Sequence, residues 1–225
     1  MGMFLRRGTA PHRTRMSDLE IGHSIKLNLN GTPWDWLVVQ QGLPSDIYDA
    51  SCDGTWLLLR DIYEERKWNN TAMNKLERST IQTYLNDEFQ NLFDDNVKSR
   101  IKQVKIPYRS GGGKGTDLSG ANGLPVSCFL LSVRETDAVA DSIPNDGAAL
   151  KYFVGATDRN RIAKYNGSAD AWWTRSPETI STSAVWFISK YGNPASGGDA
   201  TQIVGIRPAI ILPSDMIVTD DMLAA

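Results

Sequence analysis

Apolar and polar residues alternate early in the chain, in the pattern of a half-buried β-strand. The alternation covers residues 25–29, and the turn-forming pair Asn30-Gly31 follows it. Residues 34–39 then predict the returning strand of an opening hairpin. The apolar run at residues 56–59, Trp-Leu-Leu-Leu, is too short for an ordinary helix and predicts a buried strand.

The middle of the chain has the periodicity of helices. Apolar residues recur at spacings of three and four from residue 81 to residue 92, and Ser79 or Thr80 is placed to cap this helix. A second, short helix is predicted to begin at residue 94 or 95. It should end before Pro107, because a residue that precedes proline avoids helical geometry.

Four later segments predict strands, at residues 126–133, 171–175, 184–189 and 204–212. Helices in the middle, together with an antiparallel sheet assembled from both ends of the chain, predict an α+β fold. One domain over residues 17–213 is expected, with an N-terminal arm at residues 1–16 and a C-terminal tail at residues 214–225.

Three polar or glycine-rich segments predict loops. Residues 110–123 hold six glycines and predict a mobile loop, and residues 138–167 predict irregular structure. The stretch at residues 192–201 reads Gly-Asn-Pro-Ala-Ser-Gly-Gly-Asp-Ala-Thr, which predicts a surface loop.

Charge and hydropathy exclude several classes of partner. The net charge is -2 at pH 7, so a polyanion such as nucleic acid is not attracted overall, and we expect no nucleic-acid binding. No apolar run approaches the roughly 18–20 residues that cross a bilayer, so membrane insertion is not expected. The basic segment at residues 1–15 lacks the apolar stretch of a secretion signal.

Familiar catalytic and metal-binding motifs are incomplete in this sequence. Residues 111–116 superficially resemble a phosphate-binding loop, but Gly115 separates Lys114 from Thr116 and breaks the motif. Both histidines, His12 and His23, lie near the N-terminus, far from any nucleophile motif. We therefore expect no catalytic residues, no metal and no cofactor, although Asn193 and Asp199 leave a calcium site as an open alternative.

The chain has two cysteines and several adjacent acidic pairs. Cys52 and Cys128 favour two buried reduced thiols, with a single disulfide as the alternative. The acidic pairs are typical of solvated helix caps and tails rather than of catalytic dyads. These pairs are Glu64-Glu65, Asp94-Asp95 and Asp220-Asp221.

Aromatic residues are dense in the last third of the chain, among short polar loops. If Trp186 points into the core, strand alternation turns Phe187, Ser189 and Tyr191 to the opposite face. Exposed aromatics beside Ser and Asn are typical of antibody binding loops, so this face is a candidate ligand-binding surface.

Two motifs carry a resemblance to a known family. Trp172-Trp173-Thr174-Arg175-Ser176-Pro177 and Val204-Gly205-Ile206-Arg207-Pro208-Ala209 resemble the paired signatures of bacterial and phage domains of C-type-lectin type. Upstream landmarks are similar as well, so the resemblance covers roughly residues 17–213. It implies a C-type-lectin-like fold with antiparallel sheets, two helices and long irregular loops.

Some members of that group are the variable proteins of diversity-generating retroelements, and phage tail receptor-binding proteins are their best-known use. The resemblance places the variable stretch at about residues 182–202 and implies a ligand- or receptor-binding protein. The ligand-binding residues that we predict from it are Phe187, Ser189, Tyr191, Asn193, Ser196, Asp199, Thr201 and Gln202. Trp173, Arg175 and Arg207 are expected to belong to the scaffold, because an Arg in such a context commonly binds backbone carbonyls or a carboxylate.

The resemblance also suggests a location and partners. We expect the protein on a virion or a bacterial cell surface, bound to a host surface protein or glycan. Its N-terminal arm would then attach it to a phage structural protein or to other copies in a homo-oligomer. Two alternatives stay open: a structural virion component without receptor binding, and a lectin-fold oxidoreductase related to formylglycine-generating enzymes. The enzyme is disfavoured because both cysteines precede the C-terminal region and no histidine follows His23.

Overall fold

The protein is described by a computed structural model at residues 14–113 and 118–223. Mostly antiparallel sheets with few, short helices make up this part of the chain, which confirms the predicted α+β class. The helices are α1 (Thr80–Asp87), α2 (Asp95–Lys98) and α3 (Asp220–Leu223). The strands are β1 (Ser24–Leu29), β2 (Thr32–Gln41), β3 (Thr55–Leu59), β4 (Glu64–Lys67), β5 (Val104–Ile106), β6 (Leu124–Val126), β7 (Cys128–Leu130), β8 (Ala163–Tyr165), β9 (Ser168–Asp170), β10 (Trp172–Pro177), β11 (Ala184–Ile188), β12 (Pro194–Asp199), β13 (Ile203–Ile206) and β14 (Pro208–Leu212).

The first sheet is built from both ends of the chain, in the order β1-β2-β3-β14-β7, and all its neighbouring strands are antiparallel. Its β1–β2 hairpin confirms the prediction from residues 25–39. Asn30 and Gly31 both adopt left-handed backbone geometry, with φ of 50° and 75°. That geometry is the one that a two-residue Asn-Gly turn requires.

The central strands of the first sheet are buried on both faces, which explains the apolar run in β3. Leu57 and Leu59 pack into one hydrophobic cluster with α1, whereas Trp56 and Leu58 pack into a second cluster on the opposite face. All five side chains of β3 are buried. A strand that is covered on both faces favours an unbroken apolar run such as residues 56–59, so the strand predicted from this run is confirmed.

Helix α1 begins as predicted but ends earlier. Ser79 is its cap, since the Oγ atom accepts a hydrogen bond from the Gln82 backbone N–H at 3.2 Å. The apolar periodicity predicts a helix to residue 92, but α1 ends at Asp87 and a 3-10 turn continues over Phe89–Leu92. The Phe89 ring packs edge-on against the rings of Tyr63 and Phe93. The 3-10 turn therefore buries Phe89, which the periodicity had placed on the apolar face of a longer helix.

The second helix is also shorter than predicted. It occupies only Asp95–Lys98, and the chain has already entered β5 at Val104, before the predicted limit at Pro107. The strand predicted at residues 126–133 is interrupted too, because the chain changes from β6 to β7 at Ser127 and leaves β7 after Leu130.

The second sheet has the order β12-β11-β10-β13-β4, in which β10 and β13 are parallel and the other neighbours are antiparallel. The single strand predicted at residues 204–212 is two strands. β13 belongs to this sheet, β14 belongs to the first, and Arg207 joins them. Pro208 cannot donate a ladder hydrogen bond, which suits the point where the chain leaves one sheet for the other.

The predicted loops are confirmed only in part. The glycine-rich loop at residues 110–123 connects β5 to β6, and its residues 114–117 lie outside the described residues. Residues 138–167 are largely irregular, but the chain from residue 163 forms the β8–β9 hairpin. Its turn is again an Asn-Gly pair, Asn166 and Gly167, with φ of 49° and 82°.

Both segments that flank the predicted domain contribute to its core where they are described. Met16, Met216, Val218 and Met222 are buried in the cluster that contains α1. The boundaries at residues 16 and 213 stay predictions, and residues 1–13 of the arm and 224–225 of the tail lie outside the described residues. Across residues 14–113 and 118–223, no helix has the length and apolarity to cross a membrane.

Candidate functional site

The predicted ligand-binding residues all lie on one ribbon at the edge of the second sheet. We call residues 184–202 the C-terminal hairpin: it comprises β11, the turn after it, β12 and the turn that leads to β13. Phe187 lies in β11, and Ser189, Tyr191 and Asn193 lie in or beside the first turn. The remaining predicted residues follow in β12 and the second turn: Ser196, Asp199, Thr201 and Gln202.

The prediction of a surface loop at residues 192–201 was wrong. Residues Pro194–Asp199 form β12, which pairs with β11 along the edge of the sheet. Proline and glycine are tolerated there, because one side of an edge strand has no partner and needs no regular ladder. Gly197, with φ of 83°, lies where the β11–β12 register shifts between Val185 and Phe187.

Gly198 lets β12 lie directly beneath two aromatic rings. A Cβ atom at this position would come within 2.8 Å of the Trp173 ring and 3.0 Å of the Phe187 ring. No ordinary side chain fits there unless the rings move. A glycine is unfavourable in a strand by composition, but at position 198 the packing of the two rings requires one.

The Gly198→Ala variant is expected to lose about 1–3 kcal/mol of unfolding free energy, because its methyl group overpacks against the buried Trp173. Urea denaturation followed by Trp fluorescence measures the loss. Ser196→Ala introduces the same residue at an exposed position of β12 and should change stability by less than about 0.5 kcal/mol. Equal stability of the two variants would contradict the packing role of Gly198.

The first turn of the hairpin presents its side chains to solvent on an ordered backbone. The Ser189 backbone N–H donates to the Asn193 carbonyl at 2.8 Å, and the Gly192 N–H donates to the Ser189 carbonyl at 2.9 Å. Tyr191 is 67% exposed, and the Lys190 ammonium lies 5.2 Å from the centroid of its ring. Asn193 is exposed as well. Tyr191 and Asn193 are thus the best presented of the predicted residues.

Both faces of β11 are covered, so Phe187 is less exposed than the alternation argument implied. Trp186 is buried and packs with Val133, while Phe187 pairs with Trp173 on the other face. The Phe187 and Trp173 ring centroids are 6.0 Å apart in an edge-to-face arrangement. Phe187 is half-buried as a result, and its proposed contact with a ligand stays a prediction.

At the other end of β12, polar side chains stabilise the second turn. The Asp199 carboxylate accepts hydrogen bonds from the Thr201 hydroxyl at 2.6 Å and from the Thr201 backbone N–H at 2.9 Å. These bonds, the hydroxyl's first, hold the pKa of Asp199 below its usual value. Gln202 is exposed, whereas Asp199 and Thr201 are half-buried.

The two ends of β12 are too far apart to act on one small ion. Asn193 and Asp199 are six residues apart, and even with its register shift β12 lies opposite four residue steps of β11, which span about 13 Å. They cannot share a calcium ion, so the alternative that combined them is wrong. Among the described residues, no group of three or more His, Cys, Asp or Glu side chains could hold a metal.

Arg175 of β10 belongs to the scaffold, as expected from its sequence context. It is completely buried and forms an ion pair with Glu135, with Nη1 2.5 Å from Oε2 and Nη2 2.7 Å from Oε1. Three carbonyl oxygens also accept hydrogen bonds from its guanidinium, those of Pro107, Leu130 and Asp146. The guanidinium has no face left for a ligand.

The two cysteines are free and buried, which confirms the expectation of two reduced thiols. Burial raises the pKa of Cys52 to about 11 and also raises the pKa of Cys128. At neutral pH both are thiols rather than thiolates, and the thiolate is the nucleophile in cysteine chemistry.

The sequence analysis did not predict a basic cleft that lies outside the C-terminal hairpin. The cleft has a volume of about 480 Å³, and its lining includes four basic residues, Arg60, Arg159, Lys164 and Arg207. They come from distant parts of the chain, and only Arg207 belongs to a recognisable motif. No local spacing signals the cleft, because tertiary folding alone brings these residues together.

Comparison with known proteins gives one match. The model of the protein family described as "Domain of unknown function (DUF6273)" matches residues 53–214, more than two thirds of the chain. This range includes β3, β14 and β7 of the first sheet, every strand of the second sheet and the whole C-terminal hairpin. No curated protein and no solved structure matches the chain.

Proposed function

This chain belongs to the DUF6273 family, and we propose that it is a non-enzymatic ligand-binding protein with a C-type-lectin-like fold. In this proposal the first turn of the C-terminal hairpin recognises a protein or glycan on a host surface. The observation that carries it is the side chain of Tyr191, which is 67% exposed on a turn whose backbone is hydrogen-bonded. A large aromatic side chain that is exposed to water contributes strongly to the free energy of binding when a partner buries it.

The structure of the hairpin supports a separation of recognition from stability. The packing of the ribbon depends on Trp173 and Gly198 on one face and on Trp186 on the other, whereas Tyr191, Asn193 and Ser196 are exposed. Substitution at the exposed positions removes little packing. Such a surface can change its ligand without unfolding the domain.

The C-type-lectin-like fold is supported by a sheet assembled from both chain ends and by a C-terminal strand pair at the edge of a second sheet. In proteins of this type that act in phage tails or on cell surfaces, the variable segment precedes the motif that corresponds here to Gly205-Ile206-Arg207-Pro208-Ala209. Residues 182–202 occupy that place here and include the whole first turn. A location on a virion or bacterial surface is part of the proposal.

The neighbouring DNA tests whether this surface is hypervariable. We expect a reverse transcriptase gene nearby and a near-repeat of codons 180–208. A gene neighbourhood without either would restrict the proposal to a fixed binding surface and remove the retroelement from it.

The Tyr191→Ala variant is expected to bind at least tenfold more weakly than the wild type, with an unchanged melting temperature. The probes are an array of bacterial surface glycans and intact bacterial cells, read with fluorescently labelled protein. Leu43→Ala is the matched control, since Leu43 is 40% exposed in the loop after β2, outside the hairpin. It should bind as the wild type does.

Two results would contradict this proposal. In one, the wild type binds a probe and Tyr191→Ala binds it equally well, which removes the hairpin from the site. In the other, the wild type binds no probe and Tyr191→Ala dissociates an oligomer in sedimentation, which would instead favour a structural virion component.

A further inference from the structure

Arg207, the residue that joins the two sheets, is a buried cation with an incomplete set of partners. Its side chain is 1% exposed, its Nε donates to the Leu59 carbonyl at 2.8 Å, and its guanidinium lies 5.1 Å from the centroid of the Trp172 ring. The buried Nη1 atom has no hydrogen-bond partner in the described part of the chain. A buried hydrogen-bond donor without a partner lowers the stability of the folded protein, and a bound acceptor would remove this cost.

The contrast with Arg175 shows what Arg207 lacks. Both guanidinium groups are buried, but Arg175 is paired with the Glu135 carboxylate and no acidic side chain forms an ion pair with Arg207 in the described residues. Burial accordingly lowers the pKa of Arg207 to about 10. A buried charge of this kind is stabilised when an anion approaches it.

Arg207 lines the cleft of about 480 Å³, and the other charged residues around that cleft are mostly basic. Arg60, Arg159 and Lys164 add three positive charges, and Asp61 is the one acidic residue in the lining. The Asp61 carboxylate already accepts a hydrogen bond from the Lys164 backbone N–H at 2.8 Å. The cleft therefore carries three surplus positive charges in a protein whose net charge is -2.

The side chains of Arg159 and Lys164 are exposed, and neither forms an ion pair within the described residues. Several cations that line one cleft attract a multivalent oxyanion, because the low-dielectric walls of the cleft focus the electric field of these charges. Their N–H groups can also donate hydrogen bonds to the oxyanion. The cleft volume also lies in the range of small-molecule sites and exceeds what a bare phosphate ion fills. Leu37, Tyr152 and Ile162 supply apolar wall for the rest of such a ligand.

We propose that this cleft is a binding site for the phosphate group of a small phosphomonoester, with Arg159 and Lys164 at its mouth and Arg207 at its base. This site is separate from the C-terminal hairpin surface, and its assignment does not depend on the function proposed for the hairpin. The two are structural neighbours, because Gly192 of the hairpin packs against the Asp158 backbone, one residue before Arg159.

The test uses the full chain and isothermal titration calorimetry, at constant ionic strength, with four probes: inorganic phosphate, phenyl phosphate, glucose 6-phosphate and, as the uncharged control, glucose. Saturable binding is expected, with at least one monoester tighter than inorganic phosphate because its body contacts the apolar wall. Neutral glucose should not bind. Binding of inorganic phosphate at least as tight as that of both monoesters would overturn the monoester assignment, and binding by none of the probes would overturn the site.

The decisive variant is the double substitution Arg159→Gln with Lys164→Gln, which removes two exposed charges and leaves the buried Arg207 in place. It is expected to weaken phosphomonoester binding about tenfold and to fold normally. Lys67→Gln with Arg78→Gln is the matched control, because both of its positions are exposed outside the cleft and it changes the net charge equally. Equal weakening by both pairs would show a general charge effect and overturn the assignment of the cleft.

Discussion

The Glu135→Ala variant is expected to lose about 3–5 kcal/mol of unfolding free energy, because it leaves the Arg175 charge buried without its carboxylate. Both side chains of this ion pair are fully buried. Water cannot reach the guanidinium to replace the lost carboxylate unless the surrounding strands separate. The cost is therefore that of an uncompensated buried charge rather than that of one hydrogen bond.

Glu135 also organises groups that Arg175 does not contact. The Tyr48 hydroxyl donates to Glu135 Oε1 at 2.8 Å, and the Ser132 backbone N–H donates to Oε2 at 2.8 Å. Both donors lose their acceptor in the alanine variant. Burial and the Glu135 charge raise the pKa of Tyr48, so that its hydroxyl stays a neutral donor throughout the accessible pH range.

Urea denaturation of purified protein measures this loss as a lower midpoint at constant slope. Glu64→Ala is the matched control: Glu64 lies 2.9 Å from Arg66, but that pair is partly exposed, and its removal should cost about 0–1 kcal/mol. A loss at Glu135 no larger than the loss at Glu64 would contradict the structural role that we assign to the buried pair.

Local sequence signals predicted the elements that local geometry specifies. Asn30-Gly31 predicted the first hairpin because few residue pairs accept two consecutive left-handed conformations. Ser79 predicted the start of α1 because its hydroxyl replaces a missing backbone acceptor. The Asn166-Gly167 pair carried the same hairpin signal as Asn30-Gly31, and the β8–β9 hairpin was recoverable from it.

Packing between distant segments explains the elements that the sequence did not reveal. β12 has the composition of a loop, and only the Trp173 ring, reached through β10 and β11, makes Gly198 the fitting residue there. Likewise, Glu135 and Arg175 are 40 residues apart, and no local sequence pattern around either residue indicates that the other is its partner. Such long-range pairs cannot be identified from a single sequence.

The candidate surface was predictable in its exposed part and not in its buried part. Tyr191 follows β11 in a Gly-Asn turn, and such a turn projects from a sheet, so its exposure was inferable from sequence. Phe187 was assigned to the same face, but exposure also depends on what covers that face. The Trp173 ring covers that face here. The basic cleft was not predicted either, because its lining residues also come together only through tertiary folding.

Between about pH 3 and pH 7, the wild type is expected to lose about 3 kcal/mol of stability relative to the Asp146→Asn variant. Burial, the dominant cause, raises the pKa of Asp146 from 3.8 to about 6. The charge of Arg175 and the Ser176 hydroxyl lower this pKa and the Glu135 charge raises it, but burial outweighs them. Asp146 Oδ1 accepts a hydrogen bond from the Ser176 hydroxyl at 3.1 Å, while Oδ2 has no partner.

The sign follows from proton binding. Between the unfolded pKa of 3.8 and the folded value of about 6, the folded protein binds more protons at Asp146 than the unfolded chain does. Stability therefore falls as pH rises through this interval, and the penalty is absent below pH 3.8 and complete above about pH 6. Asparagine resembles the neutral acid in shape and cannot ionise, so Asp146→Asn should escape the penalty.

Urea denaturation of both proteins at pH 3, 4, 5, 6 and 7 gives the difference directly, because the other carboxylates titrate alike in both and cancel. Asp199→Asn is the control of opposite sign: hydrogen bonds from Thr201 lower the pKa of Asp199, so the wild type's advantage over that variant should shrink as pH falls through 3.8. A difference between wild type and Asp146→Asn that stays constant with pH would mean that Asp146 keeps the same proton affinity in the folded and unfolded states, and that the carboxyl group is not held neutral beside the buried ion pair.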